Sequence, residues 1–305
     1  MRNIVMFVLV LVSWGQMAFG VELPPELAHL ESLSGDEKIF VEAARELFVE
    51  QKRIISEANT PSSSTPADEV EAMRNDFRHQ LALAETMWKY VLSYYPNNAR
   101  ANNYYGEYLY DYTSQKEVAV NYWRKASTYD KSFGNSFNNL GIHYFHNGQV
   151  ERGNNYLERA LEVDPKNPDF NFNIAQMYLN HFDQLEKILK KSRKRIYKDA
   201  MKYSQKAVKY APDDFELLQD YAVNFFAAVN FDVKADWSKA AQAWQAAREY
   251  ARHDQDIFFT HLNEGRAWLR AENYQNAVSS IEAALKVRGN SVAALQLLEQ
   301  AKEKL

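Results

Sequence analysis

The chain has 305 residues, of which 46% are hydrophobic and 14% aromatic, and it has no cysteine. Low hydrophobicity combined with high net charge, the signature of disorder, is absent, and a net charge of −4 from 36 basic and 40 acidic residues argues against a general nucleic-acid binder. Ten Gly and eight Pro are too few turn-formers for a sandwich or barrel of many short strands, so the expected class is all-α.

Residues 1–20 read as a signal peptide. Arg2 supplies a positive charge, Ile4 to Val12 is an unbroken apolar run, and Ala18 and Gly20 put small residues where cleavage requires them. The apolar segment is shorter than the roughly 20 residues that span a bilayer. Cleavage is therefore the reading and an uncleaved anchor the alternative, with no stable membrane span after cleavage. The zero cysteine count means that an oxidising compartment adds no disulfide. No Asn-x-Ser/Thr sequon is found, Asn59-Thr60-Pro61 not being one, which leans towards a bacterial periplasm or envelope.

Residues 21–66 are expected to hold one helix and a connector. Ser34-Gly35-Asp36-Glu37 looks like a capping box that opens a helix to about Ala58, with an apolar stripe of Ile39, Phe40, Ala43, Leu47, Ile54 and Ile55. Asn59 to Pro66 is a run of turn-formers, and Thr65 and Pro66 start the next helix.

From 67 to 291 the sequence repeats itself. A small residue falls at Ala84, Ala119, Gly153, Ala200, Ala240 and Ala277, and seven residues after each come Val91, Ala126, Ala160, Ala207, Ala247 and Ala284. Between these two columns lies a larger one of Trp88, Trp123, Leu157, Ser204, Trp244 and Ile281. A third small column reads Gly106, Gly141, Ala175, Ala222 and Gly265. Antiparallel helices approach closely only where facing residues lack bulk, so the tryptophans read as core. With Asn139, Leu140, Tyr144, Gly153, Leu157, Ala160 and Asp164-Pro165, the segment Gly134 to Asn167 resembles one complete tetratricopeptide (TPR) repeat.

That resemblance implies a right-handed superhelical solenoid of about five to six antiparallel helix pairs, closed by a C-terminal capping helix at 292–305. Two spacings depart from the repeat. Thirteen extra residues near 180–200 predict one long second helix projecting about 20 Å past its neighbours. Six extra near Asn230 to Asp236 predict a longer turn.

In this family the wall lined by first helices often binds an extended peptide or a partner helix. Here the candidate wall carries Asn103, Tyr104, Asn138, Asn139, Phe172, Asn173, Gln219, Asp220, Asn263 and Arg266, with Ile142, Gln176 and Val223 beside them. Three of them, Asn139, Asn173 and Asn263, resemble the asparagine ladder that some TPR proteins use to hold a peptide backbone. An amide suits that task, having both donor and acceptor. The alternative is that Asn serves the fold at this repeat position. The Lys and Arg pattern of carboxylate-clamp TPRs is missing, only Arg100 and Arg266 coming close.

A second candidate is a basic arm of Lys187, Lys190, Lys191, Arg193, Lys194, Arg195 and Lys198, continued by Lys202, Lys206 and Lys209, with Asp199 as the only acid in that stretch. It suits an acidic partner or anionic lipid head groups, or is simply a solvated helix face. His143 and His146 have a metal-compatible spacing but lack a third ligand, so neither metal nor cofactor is expected. No phosphate loop, nucleophile elbow or paired carboxylate is visible, so the expectation is a non-catalytic, protein- or peptide-binding scaffold of the envelope. A structural subunit of an envelope complex and a ligand-carrier accessory of a transport system are the alternatives.

Overall fold

A computed structural model describes residues 22–58 and 66–305. The signal-peptide reading of 1–20 and the connector at 59–65 lie outside the described residues. Fourteen α-helices and two 3₁₀ segments, with no strand, make up the described residues. The chain divides into two compact units within the first turn of the fifth helix, after Ser136. Among the described residues no helix is long and apolar enough to cross a membrane.

The first unit opens with a 3₁₀ segment, Pro25–Leu33, which the sequence reading did not anticipate and which buries Leu27 and Leu30. It continues with α1 (Glu37–Ala58), α2 (Ala67–Tyr94), α3 (Ala99–Tyr112) and α4 (Lys116–Tyr129). The cap of α1 is Asp36, whose carboxylate accepts from Ile39 N at 3.0 Å. Ser34 instead donates to Glu31 O, so the expected capping box does not form. The buried stripe of α1 is Phe40, Val41, Ala44, Phe48 and Ile55, while Ile39 faces solvent. Tyr95, whose hydroxyl donates to Ser34 O at 2.8 Å, and Asn98, which donates to Glu37, tie the end of α2 to the start of α1.

The second unit comprises the rest of α5 (Gly134–His146), then α6 (Val150–Val163), α7 (Pro168–Asn180), α8 (Phe182–Leu189), α9 (Arg193–Tyr210) and α10 (Phe215–Asn224). A 3₁₀ segment Phe226–Phe231 leads to α11 (Trp237–Arg248), α12 (Asp254–Arg270), α13 (Tyr274–Val287) and α14 (Val292–Lys302). Short polar side chains start several helices of both units by accepting from the backbone N–H three residues on. Asn98, Asn167, Asp214, Asp236, Asn273 and Ser291 do so for α3, α7, α10, α11, α13 and α14.

All the columns of the repeat are buried. A Cβ built on Gly141 would stand 2.6 Å from two carbons of Leu157, so the first helix of that pair can lie against the second only without a side chain there. Gly106 meets Trp123 and Gly265 meets Ile281 in the same way. Trp88 and Trp244 are fully buried, which places the tryptophans in the core.

The first of the two insertions departs from expectation. No long helix projects, because Lys190 takes a left-handed conformation (φ 50°) and separates α8 from α9. With the break, Leu185 buries completely, and Phe182 and Leu189 pack against the same apolar cluster. The connection from α10 to α11 opens with the 3₁₀ segment and leaves residues 232–236 outside any helix, as the longer turn requires; the segment's Phe231 packs on Phe182 at 4.5 Å and on Tyr197 at 5.3 Å between ring centroids. One apolar cluster thus absorbs both departures from the repeat.

Candidate functional site

Each candidate wall belongs to the first helices of the repeats and is described within its own unit. In the first unit, Asn103 is fully buried. Its Nδ2 donates to Glu107 Oε1 at 2.8 Å, and its carbonyl accepts from Trp123 Nε1 at 3.2 Å. A side chain with no exposure cannot touch a ligand, so Asn103 supports the wall and is no contact residue. Tyr104 stacks on Trp88 with ring centroids 5.5 Å apart and remains half-exposed. Glu107 also accepts from Lys52 at 3.1 Å. Burial works against the Lys52 charge, but Glu107, with Tyr112 and Asp111, outweighs it and holds the ammonium above its ordinary range.

In the second unit the amides of successive first helices join. Asn173 Nδ2 on α7 donates to Asn138 Oδ1 on α5 at 3.0 Å. Gln176, one turn further along α7, donates to Asp220 Oδ2 on α10 at 2.7 Å, and Asn224 donates to the same oxygen at 2.8 Å. Asn224 also reaches Ser204 Oγ at 3.1 Å. Burial pushes the Asp220 carboxyl up to about 6, against the opposing pull of the Asn224 and Gln176 hydrogen bonds. Asn139, Phe172, Asn173, Gln176, Gln219 and Asp220 are all half-exposed, so this face is open to a partner.

Asn263 departs from the ladder. It is 6% exposed, with Nδ2 spent on Phe259 O at 2.9 Å and Oδ1 on Arg266 Nη1 at 3.0 Å, both within α12. Burial, and then Arg270, lowers the Arg266 pKa. The residue beside it, Glu264, had drawn no notice in the sequence. It is 4% exposed, ion-paired with Arg248, and accepts from Gln245 Nε2 at 2.6 Å and Trp268 Nε1 at 3.3 Å. A carboxylate directly before the small column, at Gly265, was the available signal.

The basic arm is partly neutralised at home. Arg193 bridges Asp183 at 2.6 Å and Glu186 at 3.3 Å, while Asp199 takes Lys191 at 2.8 Å and Arg195 at 3.3 Å. Lys187, Lys190, Lys194 and Lys198 are exposed. His143 is buried and bonded to Asn147, and burial followed by His146 lowers the His181 pKa. Among the described residues no group of three potential ligands converges on a metal position.

Helix pairs packed through columns of small residues define a protein of the tetratricopeptide fold class. The tetratricopeptide repeat family model matches residues 156–190, from the second half of α6 through α8. Three solved structures share the fold. YrrB, described as a TPR protein with an unusual peptide-binding site, is 18% identical, covers 72% of this chain and 98% of its own, and has a TM-score of 0.50. The C-terminal part of a TPR repeat-containing protein from Cytophaga hutchinsonii is 13% identical, covers 88% and 98%, and scores 0.54. PilF from Pseudomonas aeruginosa is 12% identical, covers 85% and 99%, and scores 0.51. No protein of curated function matches the sequence.

Proposed function

We propose that this chain is a non-catalytic interaction scaffold that holds an extended peptide or a helix of a partner protein against the amide-bearing first helices of its second unit. The observation that carries the reading is the linked row Asn138, Asn173, Gln176 and Asp220. It spans three consecutive first helices and stays half-open along α7 and α10. Side chains held by their neighbours lose little freedom on binding, and amides keep spare donors and acceptors for a peptide backbone. The peptide-binding site named for YrrB supports the same use of the fold, and fold likeness by itself does not fix function.

Peptides selected from a displayed random library on the full chain provide the test. Affinity is then measured on the parent and on an Asn173→Ala, Gln176→Ala variant whose helical spectrum is unchanged. A loss of about ten-fold or more supports the wall as the site. Equal binding to both would remove it.

The apolar segment at 1–20 supports export to the cell envelope, and N-terminal sequencing of the chain recovered from its host tests that. A mature terminus at Val21 is the expected result, and an intact Met1 on a membrane-bound chain would favour the anchor.

A further inference from the structure

The outer face of α9 carries a stripe of lysines that makes no ion pair with the fold, although Lys209 Nζ lies over the Tyr210 ring at 5.8 Å. Lys194, Lys198, Lys202 and Lys209 are exposed along one side of the helix, opposite buried Ile196, Ala200, Ser204 and Ala207. At 1.5 Å per residue the stripe runs about 22 Å. None of the four has an ion-pair partner among the described residues. Asp183, Glu186 and Asp199 are committed to Lys191, Arg193 and Arg195 instead.

The arrangement works against the helix that bears it. Like charges four apart repel, and the first turn of α9 holds three cations and no acid where the helix dipole favours anions. At the C-terminal end of the stripe lies a cleft of about 530 Å³. Val208, Pro212 and Leu218 supply its apolar lining, and Lys202, Lys206 and Lys209 its cationic one.

We propose that this face docks an acidic segment of a partner protein, its carboxylates pairing with the lysine stripe while one apolar side chain enters the cleft. Carboxylates four apart on a helix match lysines four apart in pitch. An apolar recess ringed by cations suits a side chain flanked by acids. A lipid surface fits less well: α9 exposes no large apolar side chain for insertion, and a flat headgroup plane has no use for a shaped cleft.

The test uses the full chain and a fluorescein-labelled helical peptide of about sixteen residues, with Glu at every fourth position and a single Leu near one end. Anisotropy should show binding that weakens with salt. The Lys194→Gln, Lys198→Gln, Lys202→Gln variant should lose about ten-fold, and its Lys→Arg counterpart should retain the affinity. Changing the peptide's Leu to Ser should cost several-fold. A charge-matched control, Lys131→Gln, Lys239→Gln, Lys304→Gln, should bind as the parent does.

Equal losses in stripe and control variants would reduce the effect to net charge and overturn the proposal. So would indifference to the peptide's Leu. Lysine-dependent binding to phosphatidylserine vesicles without binding to the peptide would assign the face to lipid instead.

Discussion

Asn173 donates its side-chain amide to Asn138 across two successive first helices, and the two residues stand 35 positions apart, one more than the 34 that separate Gly141 from Ala175. The bond therefore joins neighbouring rather than equivalent positions of the repeat and ties one copy of it to the next. Asn138 is buried, so its carbonyl has no ready substitute donor. Asn173→Ala should cost about 1–2 kcal/mol in urea unfolding, the penalty of a buried acceptor left without its donor.

Gly141 and Leu157 set the approach of α5 to α6. Gly141→Val should destabilise by about 1–3 kcal/mol or more, as overpacking does, and lower the thermal midpoint. Gly35, by contrast, has nothing within 4 Å of a built Cβ. Gly35→Ala should be neutral or slightly stabilising through the unfolded state. Thermal unfolding of the two variants side by side separates close packing from a general intolerance of glycine replacement.

Glu264 is the buried partner of Arg248, Gln245 and Trp268. Glu264→Ala would strand the Arg248 guanidinium and two N–H donors, with an expected cost of about 3–5 kcal/mol. Denaturant melts read by tryptophan fluorescence report it directly, since Trp268 belongs to the cluster.

Asp220 gives the chain a signed pH response. Its pKa of about 6 lies above that of an unfolded carboxylate, so between about pH 4 and 6 the native state keeps a proton that the unfolded chain has released. Stability from this group is therefore greatest in acid and falls as pH rises through that window, by up to about 3 kcal/mol. Asp220→Asn keeps an oxygen to accept from Gln176 and Asn224 while removing the charge. The variant should melt higher than the parent at pH 8 and no higher at pH 3.5.

Lys190 holds a left-handed conformation at the end of α8, which costs a residue with a Cβ about 1 kcal/mol. Lys190→Gly should raise stability by about that amount. A drop instead would mean that α8 and α9 join as one helix in solution.

The columns of small residues and the tryptophans as core were legible because each rests on the repeat period, whereas the caps at Asn98, Asn167 and Ser291 are read from the structure. The sequence by itself thus determined the helix pairs and where they touch. Only the tertiary structure decided that α8 folds back, that Phe182 meets Phe231, and that Ile39 points to water while Phe40 and Val41 do not. It also decided which wall asparagines stay reachable: Asn103 is sealed beneath its neighbours and Asn263 is spent on its own helix, whereas Asn173 spans two helices and stays half-open. The reason is physical. A helical period ranks positions by face to within one turn, but the exposure of a side chain depends on how bulky the residues of the adjoining helices are, and those lie tens of positions away in the chain.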